Sequence, residues 1–291
     1  MHGRLAFALL GAVLAVSAAA ADAPRRFVSG YAETVAAAPR RVVSLVPALT
    51  EAVCALDACE RLVGTDRHSN WPPRVQALPK LGGLDDAQVE RIVALRPDLV
   101  LVAPSARVAP RLEALGLRVL VLQADRYADL RPTLVATAAA LGDAAAGERL
   151  WQRLEAQVDA AAARVPAGAR GARVYVEVSP TPHAAGSASF IGELLARLGL
   201  GNVVPAALGP FPQLSPEFVL RAQPELVVAS AAALAEMPRR PGWSTLEALR
   251  SQRTCGLTPA QLDVVVRPGP RLGEAAAVLA DCAAVLGRQA R

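Results

Sequence analysis

Residues 90–100 read ERIVALRPDLV and residues 217–227 read EFVLRAQPELV, so one run returns 127 positions later with its glutamate, proline, acid and closing Leu-Val in register. In each copy the glutamate opens a short amphipathic helix, where the free backbone N–H groups and the helix dipole stabilise a carboxylate. Pro97 and Pro224 stop those helices, and the apolar residues that follow enter a strand. Helix then strand, twice at one spacing, predicts two related halves built from βα units.

The rest of the chain extends that pattern outward. Apolar runs predict strands at 41–45, 62–64, 99–102 and 119–122, then at 173–178, 226–229 and 264–266. Helical spacing predicts helices at 50–56, 87–95, 109–115 and 130–141 between the first set. Midway, Leu150, Trp151, Leu154, Val158 and Ala161 repeat at helical spacing, with no Pro or Gly from Glu148 to Val165. One long helix is therefore expected over 143–165, joining a first lobe at 41–142 to a second at 166–291, the break at Pro166, Gly168 and Gly171 launching the second. The fold class is α/β: two lobes with small parallel sheets joined by a single long helix. Such a connector allows limited hinge motion, unlike a flexible Gly/Ser linker.

Residues 1–21 carry Arg4, an apolar core from Leu5 to Val16 and a run of small residues from Ser17 to Ala21, the pattern of a removable export signal. Its apolar core is twelve residues, short of the roughly 20 that cross a bilayer. No cysteine follows it to accept a lipid, and residues 22–40 read as a lead-in. The mature protein is expected in a bacterial periplasm, soluble and monomeric. With 291 residues, 53% hydrophobic and 20% charged, the chain is too apolar for disorder. The net charge of +5 comes from arginines scattered singly or in pairs, a solvated surface rather than a nucleic-acid footprint.

In an oxidising compartment Cys54, Cys59, Cys255 and Cys282 can pair in three ways, and sequence alone does not choose among them. A small Cys54–Cys59 disulfide, with Cys255–Cys282 tying a late strand to the C-terminal helix, is one arrangement; free buried thiols are another. A metal site is disfavoured, because no CxxC pair or nearby histidine accompanies them.

Common catalytic signatures are missing: GxSxG, the P-loop, GxGxxG and HExxH. Gly186, Ser187 and Ser189 read as a turn and helix cap, although a hydrolase using His183 with Ser187 or Ser189 is the competing reading. The protein is read as a binder without catalytic residues. Loop chemistry stands out instead. Residues 66–73, DRHSNWPP, follow a predicted strand and combine His68 and Trp71 with two prolines. In the second half Ser179 to His183 and the rigid loop of Phe211, Pro212 and Gln213 stand in comparable places, and open α/β sheets bind ligands at such strand ends. Trp71 and Phe211 are expected to face each other across a cleft and sandwich a flat or bulky ligand.

Five collinear stretches, 41–51, 67–73, 90–100, 189–195 with Gly201 and Asn202, and 211–217, give the chain its resemblance to a known family. It resembles the periplasmic substrate-binding proteins of ABC importers that capture cobalamin, haem and iron–siderophore complexes, and their cobalamin-binding branch most closely. The resemblance implies that Glu90 and Glu217 dock, one per lobe, on arginines of an inner-membrane ABC permease. It implies no cofactor, only cobalamin (vitamin B12) or a related tetrapyrrole as transported ligand, held by His68, Trp71, Phe211, Pro212 and Gln213. Two departures thin the aromatic cradle, His68 standing where a tyrosine is found and Ala103 where a tryptophan is found. If the ligand is haem, His68 is the candidate axial ligand.

Overall fold

The computed structural model describes residues 38–179 and 182–288. The expected export signal, residues 22–37 of the lead-in, Pro180 and Thr181 of the second-lobe loop and residues 289–291 lie outside the described residues. Strands β1 (Val42–Ser44), β2 (Leu62–Thr65), β3 (Leu99–Val102) and β4 (Val119–Val121) form a parallel sheet in the order β2-β1-β3-β4. A second parallel sheet, in the order β6-β5-β7-β8, contains β5 (Arg173–Val176), β6 (Gly201–Asn202), β7 (Leu226–Ser230) and β8 (Thr254–Leu257). The two orders are the same pattern repeated. Each central strand is covered on both faces: Leu99 and Leu101 enter one apolar cluster and Val100 and Val102 another. Leu226 and Val228 separate from Val227 and Ala229 in the same way, which is why these strands read as unbroken apolar runs.

The first lobe carries helices α1 (Pro47–Ala55), α2 (Val89–Ala94), α3 (Ala109–Ala114) and α4 (Tyr127–Leu141). The long α5 (Ala144–Arg164) leads into β5 and is capped by Asp143, whose carboxylate accepts from the Ala146 N–H at 3.0 Å. Its apolar stripe of Leu150, Leu154, Val158 and Ala161 is buried, and Trp151 packs edge-on against Tyr127 at 5.6 Å. In the second lobe follow α6 (Phe190–Arg197), α7 (Pro216–Ala222), α8 (Ala231–Glu236), α9 (Glu247–Arg250), α10 (Pro259–Val266) and α11 (Leu272–Arg288).

The repeated run has a common local mechanism. Arg96 and Gln223, each just before its proline, take left-handed backbone at φ 46° and 44°, which ends α2 and α7. Arg41, at the foot of β1, donates to the last carbonyls of the first helix, Leu95 at 2.7 Å and Arg96 at 3.2 Å; Arg173 donates to Ala222 at 3.3 Å in the second. The acid after each proline then accepts from the N–H that starts the neighbouring strand, Asp98 from Arg41 at 2.9 Å and Glu225 from Arg173 at 2.9 Å.

Two readings need correction. Residues 264–266, three consecutive valines, are the end of α10 rather than a strand. Thr258 and Gln261 form a capping box around Pro259, and burial of Val264 and Val265 against the second lobe outweighs their β propensity. Strand β6 was not anticipated, being two residues long, whereas β8 is the late strand expected at Cys255. The cysteines pair as Cys54–Cys59 and Cys255–Cys282, the latter joining β8 to α11.

Candidate functional site

Parallel strands deliver their C-terminal loops to one end of each sheet, and here the two ends meet. Beyond β2, the Asn70 amide donates to Asp263 of α10 at 2.8 Å. Beyond β4, the Asp125 carbonyl accepts from the Phe190 N–H at 2.8 Å, while Arg126 and the Tyr127 N–H donate to Glu193 of α6 at 2.9 Å and 2.7 Å. The lobes are thus tied along both flanks of a cleft floored by strand-end loops.

The loop after β2 is built on buried Asp66. Its carboxylate accepts from the N–H groups of His68 at 2.7 Å and Ser69 at 3.0 Å and from the Ser69 hydroxyl, an Asx turn that fixes the main chain. Lys80 donates to the Ser69 carbonyl at 2.7 Å from beneath, its ammonium held below the usual lysine range by burial. The side chains of His68 and Trp71 are left exposed. Trp71 is 41% exposed, with the Arg271 guanidinium of the other lobe 4.5 Å from its ring centroid.

The opposite wall is a pair of loops. Ala184 and Gly186 donate to the carbonyls of Pro212 at 3.0 Å and Pro210 at 2.8 Å, and His183 bridges to Gln213. A Cβ on Gly186 would run into the Gly209 carbonyl, so glycine is what lets the two loops touch. Phe211 is half-buried with its ring 6.3 Å from that of Phe190. Ser189 caps α6 by accepting from Gly192 at 3.0 Å, and the hydroxyls of Ser187 and Ser189 donate to the carbonyls of Val204 and Gly186, both at 2.7 Å. Both serines are engaged in turn and cap structure.

His68 and Trp71 share one loop, and Phe211, Pro212 and Gln213 share another. They lie at different ends. Trp71 belongs to the β2 flank, whereas Phe211 packs on Phe190, which is bonded to the loop after β4. Three interstrand spacings, about 14 Å, separate those flanks. The two loops therefore stand at opposite flanks of the cleft. Between the flanks lies a cavity of about 180 Å³ lined by Val46, Leu49, Ala103, Gln123, Asp125 and Pro268.

Glu90 and Glu217 occupy the first turns of α2 and α7, exposed at the strand-end side because each helix runs back into its strand. Arg111 donates to Glu90 at 2.8 Å. The Glu217 carboxyl is held below its ordinary value by its own backbone N–H and by Ser215.

Sequence reasoning missed Leu84, which is 45% exposed. The internal repeat carries the signal: at the same offset of 127, Gly82 matches Gly209, both with positive φ (97° and 87°), and Leu84 matches Phe211. It also missed Glu51, buried and paired with Arg267 at 2.8 Å.

Residues 42–260 match a family model described as periplasmic binding protein. An ABC transporter substrate-binding lipoprotein of Bacillus subtilis, itself uncharacterized, is 26% identical over 259 residues, covering 85% of this chain and 81% of the relative. A vitamin B12-binding protein of Vibrio parahaemolyticus is 27% identical over 237 residues, covering 79% and 84%. Among solved structures, a periplasmic heme-binding protein from Roseiflexus in apo form superposes with a TM-score of 0.73 at 26% identity, covering 84% of this chain and 97% of that one.

Proposed function

Because the chain belongs to the periplasmic binding protein family, we propose that it captures a corrinoid, cobalamin first, between its two lobes and delivers it to an ABC permease of the inner membrane. The observation that carries the reading is a cleft between strand-end loops whose aromatic residues, Trp71 and Phe211, stand at its two flanks. A macrocycle that spans the cleft would meet one of these loops at each flank. The vitamin B12-binding relatives support the ligand class. Export and release from the signal at 1–21 belong to the same proposal; among the described residues no helix is long and apolar enough to cross a membrane.

Calorimetry and visible spectra of the purified mature protein with cyanocobalamin, haemin and a ferric siderophore test the ligand. Tight binding of cyanocobalamin is the expected result, and its absence overturns the cobalamin assignment. A second reading, capture of haem, rests on His68, whose ring is exposed on the cleft loop while its main chain is held. Under it, haemin binds with a Soret shift that His68→Ala removes.

Docking is assigned to Glu90 and Glu217. Exposed ion pairs of this kind are each worth only about 0–1 kcal/mol, so their contribution is steering and registration of the complex.

A further inference from the structure

Arg267, at the end of α10, reaches out of the second lobe into the first. Its guanidinium donates to the Glu51 carboxylate of α1 at 2.8 Å, to the Asn70 side-chain oxygen at 2.7 Å and to the His68 carbonyl at 3.3 Å, and its own-lobe partner Asp263 lies at 3.0 Å. The Arg267 and Glu51 side chains are 10% and 2% exposed, so water does not supply these bonds. The planar fork of arginine serves several acceptors at once in a way a lysine ammonium on the same stem does not. Two of the four acceptors are on the segment that presents His68 and Trp71. Next to it, Gly269 rests on Ala48, and Arg271 covers Trp71.

We infer that Glu51 and Arg267 form an inter-lobe clasp that positions the His68–Trp71 loop, so that drawing the lobes apart withdraws the support of that loop along with opening the cleft. On the β4 flank the lobes are tied by Arg126 and Tyr127 to Glu193 and by the Phe190 N–H to the Asp125 carbonyl, beside Phe211, so the clasp is the tie on the β2 flank that carries the His68–Trp71 loop. The functional consequence rests on the proposed ligand site; the clasp itself does not.

The test separates the two. Hydrogen exchange of the ligand-free protein is measured for Arg267→Met, for Arg267→Lys and for the paired Glu51→Leu/Arg267→Met variant, which removes both buried charges and so avoids stranding one. Exchange in 67–71 is expected to rise about tenfold in all three relative to wild type, with 103–108 on the same lobe unchanged. Unchanged exchange at 67–71 in the folded variants overturns the clasp, and so does an equal rise in both loops, which is general loosening. If Arg267→Met does not fold, the paired and lysine variants decide. Cyanocobalamin dissociation followed by stopped flow is expected to be about tenfold faster in the same variants. Wild-type protein that does not bind cyanocobalamin overturns the ligand reading alone, because the exchange result stands without ligand.

Discussion

Ser189 holds the start of α6 through one side-chain oxygen, accepting from Gly192 and donating to Gly186. Its replacement by alanine removes that cap, and Ser189→Ala is expected to lower stability by about 1 kcal/mol in urea denaturation while the fold persists. Such a cap is legible locally: a serine ahead of an apolar helical run. Trp71 is different. Its residue type and proline neighbours marked it for binding, but its partner Arg271 lies 200 positions away and comes from the other lobe. Trp71→Ala is expected to weaken ligand binding by roughly tenfold or more, equivalent to about 1.4 kcal/mol, in calorimetry with whichever probe binds wild type. An unchanged affinity would remove Trp71 from the site.

Among elements, strand β8 and helix α11 show how a covalent tie supplements packing. The Cys255–Cys282 disulfide closes a loop of 27 residues, and loop entropy assigns it about 3.5 kcal/mol; Cys54–Cys59, separated by 5 residues, is assigned about 2 kcal/mol. Serine variants of one pair at a time are therefore expected to lose stability in that order, read from denaturation midpoints. Mass spectrometry after alkylation, with and without reduction, checks the pairing. The element boundaries were largely readable because strands covered on both faces are unbroken apolar runs and because Pro97 and Pro224 punctuate the helices. Residues 264–266 misled for a physical reason. Valine repetition favours a strand in isolation, whereas the capping box at Thr258 starts a helix that carries those valines into the core.

Across the molecule, charges with no near neighbours in sequence decide how the lobes behave. Burial raises the Glu51 carboxyl above its ordinary 4.5, against the opposing pull of Arg267. The native protein then binds this proton more readily than the unfolded chain, so the stability Glu51 contributes is present below pH 4.5 and is lost as pH rises through the raised folded value. Urea denaturation from pH 4.5 upward is expected to show that decline, and Glu51→Gln is expected to flatten it. The docking proposed for Glu90 and Glu217 belongs to the same scale. Reversing both charges is expected to leave ligand affinity intact and abolish stimulation of transport in reconstituted vesicles; full stimulation would remove them from docking. By itself the sequence determined two related α/β halves, the long helix between them and the loops that reach the strand ends, because apolar period, caps and prolines act within a turn or two of the chain. Only the tertiary structure decided that the loops of Trp71 and Phe211 stand at opposite flanks of the cleft and that Glu51 meets Arg267 across 216 residues. Those outcomes depend on how two sheets are set end to end, and no local preference encodes that.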